Sequence, residues 1–517
     1  MGRATVVLGS VAVGGLLALA SAAHAETQYT IIAASGQQAP GMAEGTTFAP
    51  WVSETAPYVA PGGQVIFHGW AQTPDNSITD GLWIGKPGQI QLLARTAELH
   101  AASGLGLPWK FQSFSDLGIL DSGQGYFHAT TLYSDGRTSS RDWMGQPGSL
   151  RAGAGIFPSQ INPAGQWVAV GPQIVGYGNV HSPKDSQALL MYEDQAPGTE
   201  GHFGFMSAAN ARISRTGEVT FLNEFVVSQS PTSNTTSTGI WSGVPGNIQL
   251  VAKLGGAAPG TPSGAQFTRL DQPQAGDHGL TVFAAELTGT GVTPQNRFGI
   301  WAGTPGNVQL VVRNDGPAPD LGPNSRIYLK ESGPAWASPA PLPYVETKGS
   351  QLAFMGEALT SDGTKVGNGI WAGSPGAIHL IAKPDDPVLG VGDALQIGGI
   401  QTGFKLNSAG QVAFIAGLKG QGVDISNDGV LCLADPQNGI QVLLREGQTL
   451  ALGPDDLRTI GRLGDHPFSL SDTGEVAIEL QFADNSWGIV MIAVPEPTSG
   501  LALAAGATLL LGRRRRI

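Results

Sequence analysis

Two stretches of this sequence set an aspartate beside a histidine: Asp277 and His278 in GDHG (Gly276 to Gly279), Asp465 and His466 in GDHP (Gly464 to Pro467). A carboxylate that orients an imidazole makes a general base, but neighbours on one extended strand point to opposite faces, so neither pair is expected to act as a unit. Asp and Asn gather in PDNSITDG (Pro74 to Gly81), TSDGTKVGNG (Thr360 to Gly369) and DISNDG (Asp424 to Gly429). Convergence of Asp75, Asn76 and Asp80, or of Asp424, Asn427 and Asp428, would offer calcium several oxygen ligands. Neither set follows a complete calcium loop, and Asp-Gly and Asn-Gly form turns unaided. The expectation is no cofactor and no metal, with calcium as the one candidate ion. The nine histidines show no His-x-x-x-His or Glu-x-x-His spacing for zinc, and the single Cys432 excludes an internal disulfide or a multi-cysteine site. A Gly-x-Ser-x-Gly elbow and a phosphate-binding Gly-Lys-Ser/Thr loop are both missing. None of these spacings marks a catalytic residue, although a site assembled from single residues of separate segments would leave no such pattern.

Aromatic residues offer a second chemistry. Trp83, Trp143, Trp241, Trp301 and Trp371 recur at one place in a repeat, which favours packing over sugar stacking. Trp336 and Tyr344 fall outside the repeat, in the long segment Glu331 to Ser350. They are the candidate ligand-binding residues, with packing of that segment onto the body beneath it as the alternative. Gly176 to Gln187 is a second long segment where a partner could be met.

The elements that would position these residues are repeated. GIWAGTPGNVQLVV (Gly299 to Val312) has close copies at Gly81, Gly239 and Gly369 and a looser one around Trp143. Pro305 and Gly306 suit the centre of a type II turn, Pro presetting φ and Gly accepting the positive φ. Ahead of each hairpin stands a strand such as GQVAF (Gly410 to Phe414), and its eight copies begin 42 to 71 residues apart. Ile300 and Trp301 point to opposite faces and both are large and apolar, so both faces must be covered. An irregular first strand (Ala265 to Leu270), the Gly-x-Val-x-Phe strand, the Gly-Ile-Trp strand and a return strand make a four-stranded propeller blade. Cys432, in GVLCLA, aligns with Ala302 and Ala372 as a small buried filler. The third unit looks abbreviated, with Gln187 to Gly198 compressing its last two strands, so seven blades compete with eight. Tyr29 to Gly41 resembles the second half of a unit and Trp487 to Val494 the first half of a hairpin. The N-terminal strand should therefore close the ring and leave no open edge.

Gly (75) and Pro (35) are abundant and charged residues are only 13%, as suits many turns joining short strands. Residues 1–25 read as a signal peptide: Arg3, an apolar core, and a small-residue cleavage site with Ala23 and Ala25. Residues 26–494 form the propeller and residues 495–517 a tail, so a hydrophobic helix is expected at each end of an all-β body. The tail joins Pro495, Glu496 and Pro497 to an apolar stretch, Gly500 to Gly512, and the cluster Arg513, Arg514, Arg515 and Arg516. Such an order stops transfer across a membrane, since arginines stay on the cytoplasmic side. Of the 28 basic residues these four and Arg3 lie in the end segments, leaving 23 against 40 acidic. A body so acidic repels nucleic acid and anionic lipid, and only the terminal segments should meet a membrane.

The tail resembles the PEP-CTERM sorting signal, in the order and spacing of its three parts. The resemblance implies recognition and cleavage by an exosortase during export to the cell surface or extracellular matrix of a Gram-negative bacterium. NSAGQVAF (Asn407 to Phe414) resembles the Asn-x-x-Gly-x-x-Ala-Phe signature of secreted bacterial tandem-repeat proteins, which implies a surface-directed, propeller-like body. The reading is a non-catalytic structural or binding module, with the secretion machinery, exopolysaccharide or envelope components as partners. Its alternative is a secreted polysaccharide lyase or hydrolase, signalled by charged side chains from several blades converging on one channel mouth. For sorting, replacing Arg513 to Arg516 by Ser should leave the tail uncut or misroute the protein. Mass spectrometry of the surface form should find a chain ending near Pro495 to Pro497, and a mature form retaining Arg516 would refute the sorting reading.

Overall fold

Each copy of the repeat folds as one antiparallel sheet, and the sheets follow one another around a ring. The computed structural model describes residues 28–493 except 51–54, 97, 101–106, 153–159, 172–173, 180–181, 205–210, 230–233, 272, 330–341, 392–394 and 464–467. The two expected flanking helices, the signal residues Ala23 and Ala25, the tail residues Pro495 to Pro497 and Arg513 to Arg516, Trp336, Asp465 and His466 lie outside the described residues. Eight sheets of four to six strands form, with no α-helix among the described residues. The protein is an eight-bladed β-propeller, which decides between seven and eight. Its blades span 47–95, 109–152, 160–191, 202–253, 265–313, 326–382, 396–445 and, for blade 8, 456–493 together with 28–34.

Blade 7 shows the pattern without interruption: Gln396–Leu406, Val412–Lys419, Gly429–Asp435 and Gly439–Arg445 lie side by side in chain order. In blades 1, 4, 5, 6 and 8 the first strand breaks in two. In blade 5, Ala265–Leu270 and Gln274–Ala275 both pair with Thr281–Gly289. The strands expected to be covered on both faces are so covered: Val282, Phe283, Ile300 and Trp301 are fully buried. Ile300 and Ala302 pack toward Phe354 and Trp371 of blade 6, while Phe283 and Trp301 pack back on Ile240 and Ala252 of blade 4. The core is thus a series of slabs between blades, and each large side chain in it contributes roughly 1.5–3 kcal/mol by leaving water. Thr304 pairs with Asn307 across the Pro305-Gly306 turn, with Gly306 at φ 79°.

Blade 3 departs from expectation. It is not compressed: all four strands are present, and the third is Ile174–Asn179, which carries no Gly-Ile-Trp motif. The fourth is Ser182–Met191, and Asn179 pairs with Ser182 across a tight hairpin. Gly176 to Gln187 is therefore ladder rather than loop. Cys432 is also displaced from its expected column. The ladder sets it opposite Phe414, as Trp371 stands opposite Phe354, so the thiol occupies the tryptophan position of blade 7. It is fully buried, and burial pushes the thiol well above its ordinary range.

Closure follows the prediction. Gln28–Ala34 pairs antiparallel with Trp487–Ala493 as the outer strand of blade 8, Tyr29 opposite Ile492 and Ala34 opposite Gly488. Without it the strand Trp487–Ala493 would expose an unpaired row of backbone groups. Deleting Gln28 to Ala34 should abolish cooperative melting or cause aggregation in light scattering; an unchanged melt would mean that the ring does not depend on this strand.

Candidate functional site

The tryptophan column is consumed by packing. Trp83, Trp241, Trp301 and Trp371 are fully buried, and their rings stack on Phe67, Phe221, Phe283 and Phe354 with centroids 5.8, 5.9, 6.2 and 6.1 Å apart. Each indole N–H donates to a proline carbonyl in the loop that enters its blade. The acceptors are Pro40, Pro197 and Pro259 at 3.0 Å and Pro319 at 3.1 Å. The ring also lies over the glycine two residues earlier: a Cβ at Gly81, Gly239, Gly299 or Gly369 would stand 2.7–2.9 Å from it. Neither ring face nor donor is left for a ligand. Trp143 differs, with Arg141 in the glycine place, Trp109 against its ring at 4.8 Å, and no partner for its N–H among the described residues.

Charges do converge on one mouth of the channel, where the turns between first and second strands meet. The Arg215 guanidinium, from blade 4, reaches Asp472 of blade 8 at 2.9 Å and Asp121 of blade 2 at 3.4 Å. In a ring of eight, blades 4 and 8 are opposite, so this side chain spans the opening. Its own N–H donates to Asp277 Oδ1 of blade 5 at 3.2 Å. Asp472 also accepts from the Ser408 N–H at 2.9 Å, and Asp277 donates its N–H to the Gly349 carbonyl at 2.8 Å. The motif asparagines strap adjacent blades: Asn407 Nδ2 donates to the Ser471 carbonyl at 3.1 Å and Asn162 Nδ2 to the Ser214 carbonyl at 2.7 Å. A cavity among these groups, lined by Asp121, Arg215, Lys348 and Asp472, measures about 20 Å³. That is space for a water rather than a substrate. The convergence that would signal channel chemistry occurs, but Arg215, Asp121 and Asp472 are spent on one another. Sequence reasoning missed Arg215; the available signal was that Asp121, Arg215 and Asp472 all stand two residues before the repeat glycine.

The other candidates are dispersed. His278 adopts φ 58° in a short 3-10 turn and donates its N–H to Thr216 Oγ1, so Asp277 and His278 face different partners. Asp75 accepts from the Thr73 hydroxyl and the Ser77 N–H, while Asp80 turns to His68. Asp424 accepts from Ser426, and Asn427 caps the Asp424 N–H. These are turn caps; at the equivalent turn of blade 6, the Thr360 hydroxyl and the Thr364 N–H hold the Asp362 carboxyl down to about 2. Tyr344 is 41% exposed and sets its ring edge-on to Phe404 of blade 7 at 5.5 Å. Burial pushes its hydroxyl above the ordinary range.

A larger space lies at the seam where the ring closes. Between blades 8 and 1, Ser35, Thr47, Phe48, Gln72, Leu457, Arg458 and Asp484 line a cavity of about 460 Å³. Arg458 is fixed there by Asp456 at 2.8 Å, Ser486 Oγ at 2.9 Å and the Ser35 carbonyl at 3.1 Å. Leu457 is 68% exposed beside it.

A model described as a family of unknown function (DUF7453) matches residues 8–152, 154–335 and 345–501. No curated protein matches the chain. Among solved structures, the β-propeller domain of the Trilobed protease from Pyrococcus furiosus is similar over 74% of this chain and 95% of that one, at 11% identity and a TM-score of 0.35. The acylaminoacyl peptidase of Pyrococcus horikoshii covers 73% of this chain, which spans 52% of that longer protein, at 9% identity and a TM-score of 0.36. The polysaccharide lyase Uly1 is similar over 92% and 100%, at 8% identity and a TM-score of 0.31.

The two kinds of contact should differ in weight. Trp301→Phe keeps a ring but leaves the Pro259 carbonyl without its donor, and should cost about 1–3 kcal/mol in denaturant melts. Arg215→Met, which removes half-exposed ion pairs, should cost about 1 kcal/mol or less.

Proposed function

We propose that this chain, which belongs to the family of unknown function DUF7453, is an exported surface or matrix protein whose propeller serves as a scaffold and binding module. Its signal and tail segments would carry it through the secretion machinery to an exosortase and on to the cell surface or extracellular matrix of a Gram-negative bacterium. The observation that supports binding rather than channel chemistry is the contrast of spaces: about 20 Å³ at the ion-paired mouth against about 460 Å³ at the closing seam. The larger volume is of the order that ligand sites occupy, roughly 300–1,000 Å³.

The chemistry of that seam suits a hydroxyl-rich ligand. Thr47, Gln72, Asp456, Arg458, Asp484 and Ser486 supply donors and acceptors around the apolar Leu457 and Phe48, a mixture that matches the polar edges and apolar faces of sugar rings. Exopolysaccharide or an envelope glycan is therefore the partner class, and the site lies in blades 8 and 1 instead of at Trp336 and Tyr344. Retention of the mature protein on the producing organism's exopolysaccharide should fall about tenfold in Gln72→Ala and Leu457→Glu. Wild-type retention in both variants, or no retention of the wild type, would overturn this reading.

A further inference from the structure

The cavity where the ring closes is lined by groups whose hydrogen-bond donors are nearly all in use. Arg458 carries five N–H groups, and four are committed. Nε–H donates to Asp456 Oδ1 at 2.8 Å, Nη2 to Asp456 Oδ2 at 2.8 Å and the Ser35 carbonyl at 3.1 Å, and Nη1 to Ser486 Oγ at 2.9 Å. The guanidinium also lies against the Phe482 ring, 5.8 Å from its centroid. Ser486 Oγ gives its own proton to Asp484 Oδ1 at 2.5 Å. Ser35 Oγ donates to the Trp487 carbonyl at 3.3 Å, and Gln72 Nε2 donates to Asn76 Oδ1 at 3.0 Å.

The acceptors are in the opposite condition. Both bonds that Asp484 accepts, from the Ser486 hydroxyl and N–H, fall on Oδ1. Among the described residues no hydrogen bond reaches Asp484 Oδ2 or Gln72 Oε1. The Ser486 hydroxyl and N–H hold the Asp484 carboxyl below its ordinary range, and Arg458 adds to the effect, so this side chain keeps its charge in mild acid. The charges are lopsided too. Asp456 and Asp484 line the space with Arg458 as the one cation, and no lysine or histidine joins them. Asp455 precedes Asp456, and Asp75 lies in the turn after Gln72, both exposed. A uronate or sulfate entering here would meet Asp484 as a like charge and find Arg458 already paired. An ammonium brings three donors and a positive charge, and the exposed Leu457 offers an apolar surface for a ring face.

We infer that the seam between blades 8 and 1 selects polysaccharide bearing free amino groups, with the ammonium of an amino sugar held by Asp484 Oδ2 and Gln72 Oε1 and the sugar ring against Leu457. This rests on the reading of the seam as a glycan site and gives that site its substrate class. Selection works by exclusion as well as attraction. Acidic glycans are repelled by the carboxylates, and an N-acetylated sugar loses the charge and two of the three donors.

The test titrates the mature protein in a calorimeter, in mildly acidic buffer, with a glucosamine hexamer, its fully N-acetylated counterpart and a galacturonate hexamer. The glucosamine hexamer should bind about tenfold or more tightly than the N-acetylated one, the galacturonate hexamer should not bind, and added salt should weaken the amine complex. Asp484→Asn keeps the Oδ1 acceptor that caps the turn and removes the charge. It should lower affinity for the glucosamine hexamer about tenfold and leave the melt unchanged. Asp424 caps Ser426 in blade 7 through the same pair of donors and does not line the cavity, so Asp424→Asn should change nothing. Equal loss in the two variants would mean general attraction of a polycation to an acidic body and would overturn the proposal. Gln72→Ala separates the selectivity from the site itself. If the N-acetylated or galacturonate hexamer binds as tightly as the amine and Gln72→Ala abolishes that binding, the selectivity falls and the glycan site stands. If Gln72→Ala leaves the binding of every hexamer unchanged, both fall. Binding of no hexamer overturns the selectivity, and the glycan site is then decided by exopolysaccharide retention.

Discussion

One hydrogen bond, from a buried indole N–H to a proline carbonyl in the loop entering the same blade, sets much of the repeat. A buried donor without an acceptor costs about 1–3 kcal/mol, so the loop must bring its carbonyl to the ring. Around that requirement the rest of the motif is arranged. The glycine two residues before Trp301 leaves room for the ring, and Phe283 stacks on its face. Ala-Pro-Gly in the loop and Gly-Ile-Trp in the third strand are two halves of one contact, though they stand some forty residues apart, from Pro259 to Trp301. Since the loop arrives from the preceding blade, the contact also fixes how one blade follows the next.

A ring built this way has its apolar matter between blades and little left for the axis. At the turns between first and second strands the polar groups are shared around the circle, with asparagine straps on adjacent blades and Arg215 reaching across to Asp472. The same reasoning explains where variation can enter. Blade 3 holds Ala169 and Gly176 where the regular blades pair phenylalanine with tryptophan, and the Trp167 ring lies over Gly176 instead.

Most of the architecture was legible because it repeats. Turn glycines, Pro-Gly pairs and two-sided burial are local properties, and the half-units at the two ends announced the closing strand. Blade 3 was misread because its third strand, Ile174–Asn179, lacks the tryptophan motif and so looked like loop. Cys432 was placed one column away because a shift of one residue in a ladder leaves no mark on a string of apolar letters. The site residues were harder still. Asp277 beside His278 was visible and proved to be two separate turn contacts, whereas His128 meets Asp142 across fourteen positions through strand register alone. The 460 Å³ space at the closing seam joins residues near both ends of the chain, such as Gln72 and Asp484, and no local pattern reports such a meeting.

The way the ring is fastened also determines how it would respond to load. Gln28 lies opposite Ala493, so the two ends of the propeller leave from the same end of one antiparallel pair. Tension drawn between them pulls perpendicular to the strands and stresses their hydrogen bonds one rung at a time, from Gln28 and Ala493 toward Ala34 and Gly488. That is the geometry of a zipper, which parts at low force, where strands pulled lengthwise would share the load and resist. A body tethered at one end and tugged at the other would yield first at its clasp, while a force applied through its blades would meet the whole packed circle.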